Sequence, residues 1–264
     1  MKNQFWHSSY FEYSTIQRVL AGFLLVFIFN SCTDSDSKLI IATSANAQFA
    51  MEEIANQFSE QTNVTCELVV GSSGKLTSQI MFGAPYDIFV SADSSYPNKL
   101  YREGYSEDLP KNYCRGKVVL WCKHGAIALK ELLEYQEVKI ACPNPDLAPY
   151  GRVTKEVLIN AGLWKAISPQ LVYTESVAGV NALIASGVCE LAFTSYSSVF
   201  INQNDLLDHD NITILSEGGL NEVFQSYLVV SNDRNEKQKM QFQEFMETDA
   251  AKVIFEKYGY ETHE

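Results

Sequence analysis

The sequence feature that most constrains the possible fold of this chain is a glycine- and serine-rich junction at residues 68–77. Leu68-Val69-Val70 is an apolar run typical of a buried strand, and Leu76 and Ile80 follow four apart, as on one face of a helix. Gly71-Ser-Ser-Gly-Lys75 lies between the two patterns. The first N–H groups of a helix have no intrahelical partner and carry partial positive charge, so the junction predicts an anion cradle.

Three other interpretations of the junction can be compared. A nucleotide-binding P-loop needs four residues between its glycines, but only two separate Gly71 from Gly74, which excludes it. Ser72 and Lys75 fit the S-x-x-K pattern of serine acyl enzymes, although the companion K-T-G sequence is absent. An ordinary helix capped by Ser72 or Ser73 explains the same residues without any ligand.

The charge balance limits the partners. The 264 residues carry 20 basic and 32 acidic side chains, a net charge of -12, which argues against nucleic acid as a partner. An anion site on so acidic a chain must depend on local, oriented hydrogen-bond donors rather than on overall charge. The length suits one large domain or two small ones.

The N-terminus has the pattern of an export signal. Residues 19–30 form an apolar segment after Lys2 and Arg18, too short to span a membrane comfortably. Ser31-Cys32 and a polar stretch follow, which resembles a bacterial lipoprotein processing site with Cys32 as the lipidated residue. A plain signal peptide cut nearby is the alternative, and in both cases residues 1–37 stand outside the fold.

The cysteines and histidines do not form a metal-binding or redox pattern. No C-x-x-C occurs, and the four histidines are scattered, so the sequence predicts neither a cofactor nor a zinc site. Cys66, Cys122 and Cys142 lie in apolar runs and are expected to be buried. One disulfide is possible, and the sequence does not identify its partners.

Strand and helix patterns alternate after residue 38. Strands are expected at Leu39–Thr43, Cys66–Val70 and Ile88–Val90, with helices between them, an order that favours a parallel, doubly wound sheet. Ligands of such sheets bind beyond the carboxyl ends of the strands, where Asn46 and Ser73 fall. Asn46 also suits the N-cap of the first helix.

A second series of the same kind follows the strand pattern Lys117–Cys122. Its helices begin near Tyr150 and near Ser176-Val177, and two short helices end the chain, the last capped by Asp249. The α/β fold is therefore expected as two doubly wound lobes with a ligand cleft between them. The predicted domains are residues 1–37 as signal and tether, 38–116 with 227–264 as lobe 1, and 117–226 as lobe 2.

With these pieces in order, the chain resembles the periplasmic molybdate-binding proteins of ABC importers over roughly residues 38–260. The matching segments are Gly71-Ser-Ser-Gly-Lys-Leu76, Gly83-Ala-Pro-Tyr-Asp-Ile-Phe-Val-Ser-Ala-Asp93, Asn144-Pro-Asp-Leu-Ala-Pro-Tyr-Gly151 and Ala251-Lys-Val-Ile-Phe-Glu-Lys-Tyr-Gly-Tyr260. Proteins of this family hold a tetrahedral oxyanion between two lobes with neutral hydrogen-bond donors.

The resemblance implies a set of ligand-binding residues. Asn46 and Ser73 would come from the first lobe, and Tyr150 and the backbone of Val177 from the second. Ala45 stands where the family often has a polar residue, with Ser44 one position earlier. Ser195 aligns with a position at which some members use tyrosine, and Tyr196 follows it.

The resemblance also implies a function without catalysis. A monomeric, lipid-anchored binding protein would capture molybdate or tungstate and deliver it to a membrane permease. The molybdenum or tungsten atom of the bound oxyanion would be the only metal that the protein holds. One alternative is the same fold for sulfate or another anion. The others are a serine acyl enzyme built on Ser72 and Lys75, and a surface module that keeps only the fold.

Overall fold

The computed structural model describes residues 38–200, 209–215 and 222–262. The expected export signal and Cys32 lie outside the described residues. Within these ranges no helix is both long enough and apolar enough to cross a membrane.

Three parallel strands with helices on both faces form the first half of the sheet. The elements are β1 (Leu39–Ser44), α1 (Gln48–Thr62), β2 (Cys66–Gly71), α2 (Ser73–Met81), β3 (Ile88–Ser91) and α3 (Ser95–Arg102). β1 pairs in parallel with β2 on one side and with β3 on the other, as the alternating strand and helix patterns predict. The carboxyl ends of all three strands therefore meet at one edge.

Two long antiparallel strands carry the chain between the halves of the sheet. They are β4 (Lys111–Cys122) and β9 (Glu222–Val229). β9 pairs with β3 and with the first part of β4, and the second part of β4 pairs with β7. The strand order is β2-β1-β3-β9-β4-β7-β5-β6, and β8 pairs separately with β4. The lobe boundaries at residues 116 and 226 fall within these shared strands and stay a prediction.

The second half of the sheet repeats the arrangement of the first. Its elements are β5 (Ile140–Pro143), α4 (Pro149–Asn160), α5 (Trp164–Ile167), β6 (Leu171–Thr174), α6 (Val177–Ala185), β7 (Leu191–Ser195), α7 (Tyr196–Phe200) and β8 (Ile212–Ile214). β5 lies between β6 and β7 and is parallel to both. Short 3-10 turns occur at Ala45–Ala47, Leu129–Glu134, Ser168–Gln170 and His209–Asn211.

Alternating side chains of the strands form an apolar layer on each face of the sheet. In β1, Leu39 and Ile41 pack with α1 and with the last helices, α8 (Glu236–Met246) and α9 (Asp249–Lys257), whereas Ala42 packs with α2 on the other face. The α1 face predicted from Ala47, Met51, Ile54 and Phe58 is confirmed, because all four are fully buried.

Two of the predicted helix caps are wrong. The N-cap of α1 is Ala47, because Asn46 lies inside the preceding 3-10 turn. The N-cap of α9 is Thr248, whose Oγ1 accepts a hydrogen bond of 3.3 Å from the Ala251 amide, and Asp249 is instead the first helical residue. Its carboxylate still lies where the helix dipole favours negative charge.

The cysteines of the described residues are all reduced thiols. Cys66 is half-buried, and the other four are buried: Cys114, Cys122, Cys142 and Cys189. Burial raises the pKa of the Cys66 and Cys114 thiols, so both stay protonated at neutral pH. Cys122 and Cys142 are buried as expected, and no disulfide occurs among the described residues.

Candidate functional site

A small cavity lies where the carboxyl ends of strands from both halves of the sheet meet. Its volume is about 10 Å³, comparable to one water-sized sphere. The lining residues are small or uncharged: Ser44, Ala45, Asn46, Gly71, Ser72, Ser73, Ala92, Ala148, Pro149, Tyr150, Ser176 and Val177. The structure thus brings together five of the residues expected at the site, namely Ala45, Asn46, Ser73, Tyr150 and Val177.

Three helices direct their N-termini at this cavity. Ser73 and Val177 are the first residues of α2 and α6, and Tyr150 is the second residue of α4, behind Pro149. Amides at these positions have no intrahelical acceptor, and the helix dipoles add partial positive charge. Because no lining residue is Asp, Glu, Lys, Arg or His, the cavity favours an anion through neutral donors.

Hydrogen bonds within the protein fix the start of α2. Ser72 caps the helix by accepting from the Lys75 amide at 3.3 Å, as the sequence predicted. The Gly74 amide donates to the carbonyl of Leu147, across the cleft, at 2.9 Å. Ser73 Oγ accepts from the Ala92 amide at 3.0 Å, and its hydroxyl hydrogen remains able to donate to a ligand.

The side chain of Asn46 is used inside the protein. Its Nδ2 donates to Gln225 Oε1 at 2.9 Å and to the Tyr260 hydroxyl at 3.0 Å. The Tyr260 hydroxyl in turn donates to the Asn46 carbonyl at 2.6 Å. An amide nitrogen has two hydrogens, so these partners leave the Asn46 side chain little capacity for a ligand. Asn46 can therefore contact a ligand in the cavity mainly through the main-chain amide of its 3-10 turn.

Gln225 joins Asn46 to Tyr150 from the shared strand β9. Its Oε1 also accepts from the Tyr113 hydroxyl at 2.7 Å, and its Nε2 donates to the Tyr150 hydroxyl at 3.1 Å. Since Asn46 Nδ2 can only donate, the amide orientation of Gln225 is determined by the network. Sequence reasoning missed Gln225, because it lies 179 positions from Asn46 and no local motif marks it.

The tyrosines of this network remain neutral. Burial raises the pKa of Tyr113, Tyr150 and Tyr260 well above the usual value near 10. A phenol that stays protonated is both a donor and an acceptor, so each hydroxyl can serve two partners in the network. These phenols therefore add no negative charge beside the cavity at physiological pH.

Ser195 is not among the residues that line the cavity, and its expected contact with a ligand stays a prediction. It is the last residue of β7, and its Oγ is 2.5 Å from Ser198 Oγ at the start of α7. The Ser198 amide also donates to Ser195 Oγ, at 3.3 Å, so the hydroxyl takes part in the β7–α7 turn. Tyr196 packs, half-buried, against an apolar cluster that includes Val119 and Trp121.

Polar contacts bridge the mouth of the cleft. Lys75 Nζ forms an ion pair of 3.0 Å with Glu175. Arg152 pairs with Asp93 and lies over the ring of Tyr96, 5.1 Å from its centre. An acyl enzyme would need the Lys75 amine as a base beside Ser72, whereas Lys75 Nζ is instead bound to the Glu175 carboxylate on the other side of the cleft.

The described residues contain no cluster of three or more His, Cys, Asp or Glu side chains that could hold a metal cation. Carboxylates and imidazoles are the groups that bind such ions, and none lines the cavity.

Comparisons with known proteins agree with this fold. The molybdate-binding protein ModA of Rhodobacter capsulatus is 30% identical over 234 residues, which cover 85% of this chain and 88% of the relative. A Bacillus subtilis (strain 168) protein, with the provisional name ABC transporter substrate-binding lipoprotein YvgL, is 28% identical over 94% of this chain and 98% of its own length.

A solved structure has the same architecture. The Azotobacter vinelandii periplasmic molybdate-binding protein superposes with a TM-score of 0.78 at 26% identity, covering 86% of this chain and all of that protein. Residues 39–261 match the family described as bacterial extracellular solute-binding protein. The match spans nearly all of the described residues, so this chain belongs to the bacterial extracellular solute-binding protein family.

Proposed function

We propose that this protein captures molybdate or tungstate at this cavity, whose walls would open from their present water-sized spacing to admit the ion, and delivers it to the permease of an ABC importer. The observation that carries the proposal is the convergence of three helix N-termini on one small cavity without charged side chains. The relatives named for molybdate binding support the same ligand.

The proposed donors are mainly main-chain groups. The amides of Ala45, Asn46, Ser73, Tyr150 and Val177 and the Ser73 hydroxyl would surround the oxyanion. Hydrogen bonds to a charged partner contribute about 1.5–3 kcal/mol each, so these six give roughly 9–18 kcal/mol before the cost of closing the cleft. Nanomolar affinity, about -12 kcal/mol, lies within that range.

Donor chemistry also sets the specificity. Molybdate, tungstate and sulfate are fully ionised near pH 7 and only accept hydrogen bonds, which suits a cavity lined by donors. Hydrogen phosphate keeps a proton and needs an acceptor, yet no carboxylate lines the cavity. Sulfate is the alternative ligand, and cavity size rather than charge would distinguish it from molybdate.

Binding would close two lobes over the ligand. The proposed lobes are residues 38–116 with 227–264, and residues 117–226. Because β4 and β9 belong to both halves of the sheet, closure would bend these two strands rather than a loose linker. The bridging contacts of Lys75 with Glu175 and of Gly74 with Leu147 would form on closure.

The family places the protein in the bacterial cell envelope, outside the cytoplasm. We propose that residues 1–37 direct export and that Cys32 becomes the lipidated N-terminus of a monomer. Mass spectrometry of the N-terminal peptide from membranes tests the anchor. A diacylated Cys32 supports it, and an unmodified N-terminus cut elsewhere contradicts it.

Calorimetric titration of residues 38–264 with molybdate, tungstate, sulfate and phosphate tests the proposed ligand. Tight one-to-one binding of the first two, with sulfate far weaker and phosphate silent, is expected. Equal affinity for sulfate would contradict selection by cavity size, and silence with all four anions would refute an oxyanion-binding function.

A further inference from the structure

One cavity residue carries a polar group that the protein leaves without a partner. Ser44 is the last residue of β1, and its side chain lines the cavity while only 2% of the residue is exposed to solvent. Among the described residues, no group forms a hydrogen bond with Ser44 Oγ. Buried hydroxyls nearly always have a partner, so one without calls for an explanation.

The position of Ser44 explains what partner it could have. Ser44 pairs with Gly71 in the parallel register of β1 and β2, and both residues line the cavity. The next residue, Ala45, has no side-chain donor, and the Asn46 side chain is occupied by Gln225 and Tyr260. The 3-10 turn at this wall therefore has no free side-chain donor of its own.

We propose that Ser44 Oγ donates a hydrogen bond to the bound oxyanion and so helps to determine ligand affinity. This inference rests on the proposed function of the cavity. The hydroxyl would contribute the side-chain donor that Ala45 lacks, from one position earlier in the chain. A bound anion would also satisfy a group that is otherwise buried without a hydrogen bond.

The neighbouring residue provides a matched control. Thr43 is fully buried in the same strand, and within the described part of the chain its Oγ1 also has no hydrogen-bond partner. Successive side chains of a strand point to opposite faces, and Thr43 is not among the residues that line the cavity. Removing either hydroxyl deletes an unpartnered polar atom, but only one of them faces the ligand.

The experiment compares Ser44→Ala and Thr43→Val in the processed protein by titration with molybdate. Ser44→Ala is expected to weaken binding by about 10- to 100-fold, equivalent to about 1.4–2.7 kcal/mol at 1.36 kcal/mol per tenfold. Thr43→Val is expected to stay within about twofold of the unmodified protein. Ser44→Cys, whose thiol is larger and a weaker donor than the hydroxyl, should also bind molybdate more weakly than the unmodified protein.

A second readout separates ligand contact from a packing role. Without molybdate, both Ser44→Ala and Thr43→Val should melt at or above the temperature of the unmodified protein, because each loses a buried, unsatisfied hydroxyl. Molybdate should raise the melting temperature of Ser44→Ala less than that of Thr43→Val.

Two results would overturn the inference while leaving the proposed function intact. One is binding by Ser44→Ala within threefold of the unmodified protein. The other is an equal loss of affinity in Ser44→Ala and Thr43→Val, which would indicate a packing effect. If the unmodified protein binds no oxyanion at all, the proposed function and this inference fail together.

Discussion

Gly74→Ala should impair ligand binding without harming the fold. A β-carbon at Gly74 would lie 2.8 Å from the Leu147 carbonyl oxygen and 2.7 Å from the Tyr96 hydroxyl. The tyrosine is the end of a side chain and can move, but the Leu147 oxygen belongs to the main chain of the opposite wall. Restoring an ordinary 3.4 Å contact requires the two walls to separate by about 0.6 Å.

This separation sets the size of the effect. The Gly74–Leu147 hydrogen bond, now 2.9 Å, would lengthen beyond a useful distance, which costs about 0.5–1.5 kcal/mol. Ser73 would move together with Gly74, away from the helices of the opposite wall. This movement would weaken about one hydrogen bond to the bound anion, worth about 1.5–3 kcal/mol. Molybdate affinity should therefore fall by about 2–4 kcal/mol, roughly 30- to 1,000-fold.

Titration calorimetry measures that loss, and thermal unfolding without ligand provides the control. Alanine is better than glycine within a helix by about 1 kcal/mol, so the ligand-free variant should melt within a few degrees of the unmodified protein. Ser78→Ala, on the exposed side of the same helix, should bind normally. Affinity of Gly74→Ala within threefold of the unmodified protein would refute the reasoning.

Other perturbations test the buried network and the mouth of the cleft. Gly116→Ala would place a β-carbon against the Tyr150 hydroxyl and 2.5 Å from Gln225 Nε2. We expect this overpacking to lower the free energy of unfolding, measured by urea titration, by about 2–4 kcal/mol. An unchanged midpoint of urea unfolding would contradict this prediction. Because folding raises the pKa of the buried thiols Cys114 and Cys142 and of Tyr150 and Tyr260, the free energy of unfolding should begin to fall above about pH 8, where thiols of the unfolded chain ionise, and fall more steeply above about pH 10, while molybdate affinity stays flat from pH 6 to 9. A tenfold loss of affinity by pH 9 would show an ionised group at the site. Lys75→Ala removes a half-exposed ion pair and should change molybdate affinity by less than about fivefold, with a smaller change at high salt.

Local sequence patterns were enough to predict the parts of the site that lie where a strand ends and the next helix begins. Strand runs followed by Ser73, Tyr150 and Val177 place helix starts beyond the strand ends. In parallel sheets such ends meet at one edge. The end of α2 at Met81 also followed from apolar spacing, and Ser72, one of the two serines considered as caps, is its N-cap. Strand ends, helix starts and helix caps depend on residues that are close in sequence, so a single sequence is enough to predict them.

Long-range and competitive interactions were beyond the reach of those patterns. A glutamine in a strand, such as Gln225, gives no sign that it will contact Asn46 and Tyr150. Thr248 and Asp249 are both good caps in adjacent positions, and only the path of the chain selects between them. Likewise, no local pattern indicated that the Ser195 hydroxyl would contact Ser198 in the β7–α7 turn.

The reduced, buried cysteines make this protein a convenient object for distance spectroscopy. Thiolates are the reactive species toward maleimides and nitroxide reagents, and burial keeps Cys114 and Cys142 both protonated and shielded. Only Cys66 among the described cysteines is half-exposed, and replacing it would leave a low labelling background. Dyes or spin labels on one new cysteine in each half of the sheet could then follow opening and closing directly in solution.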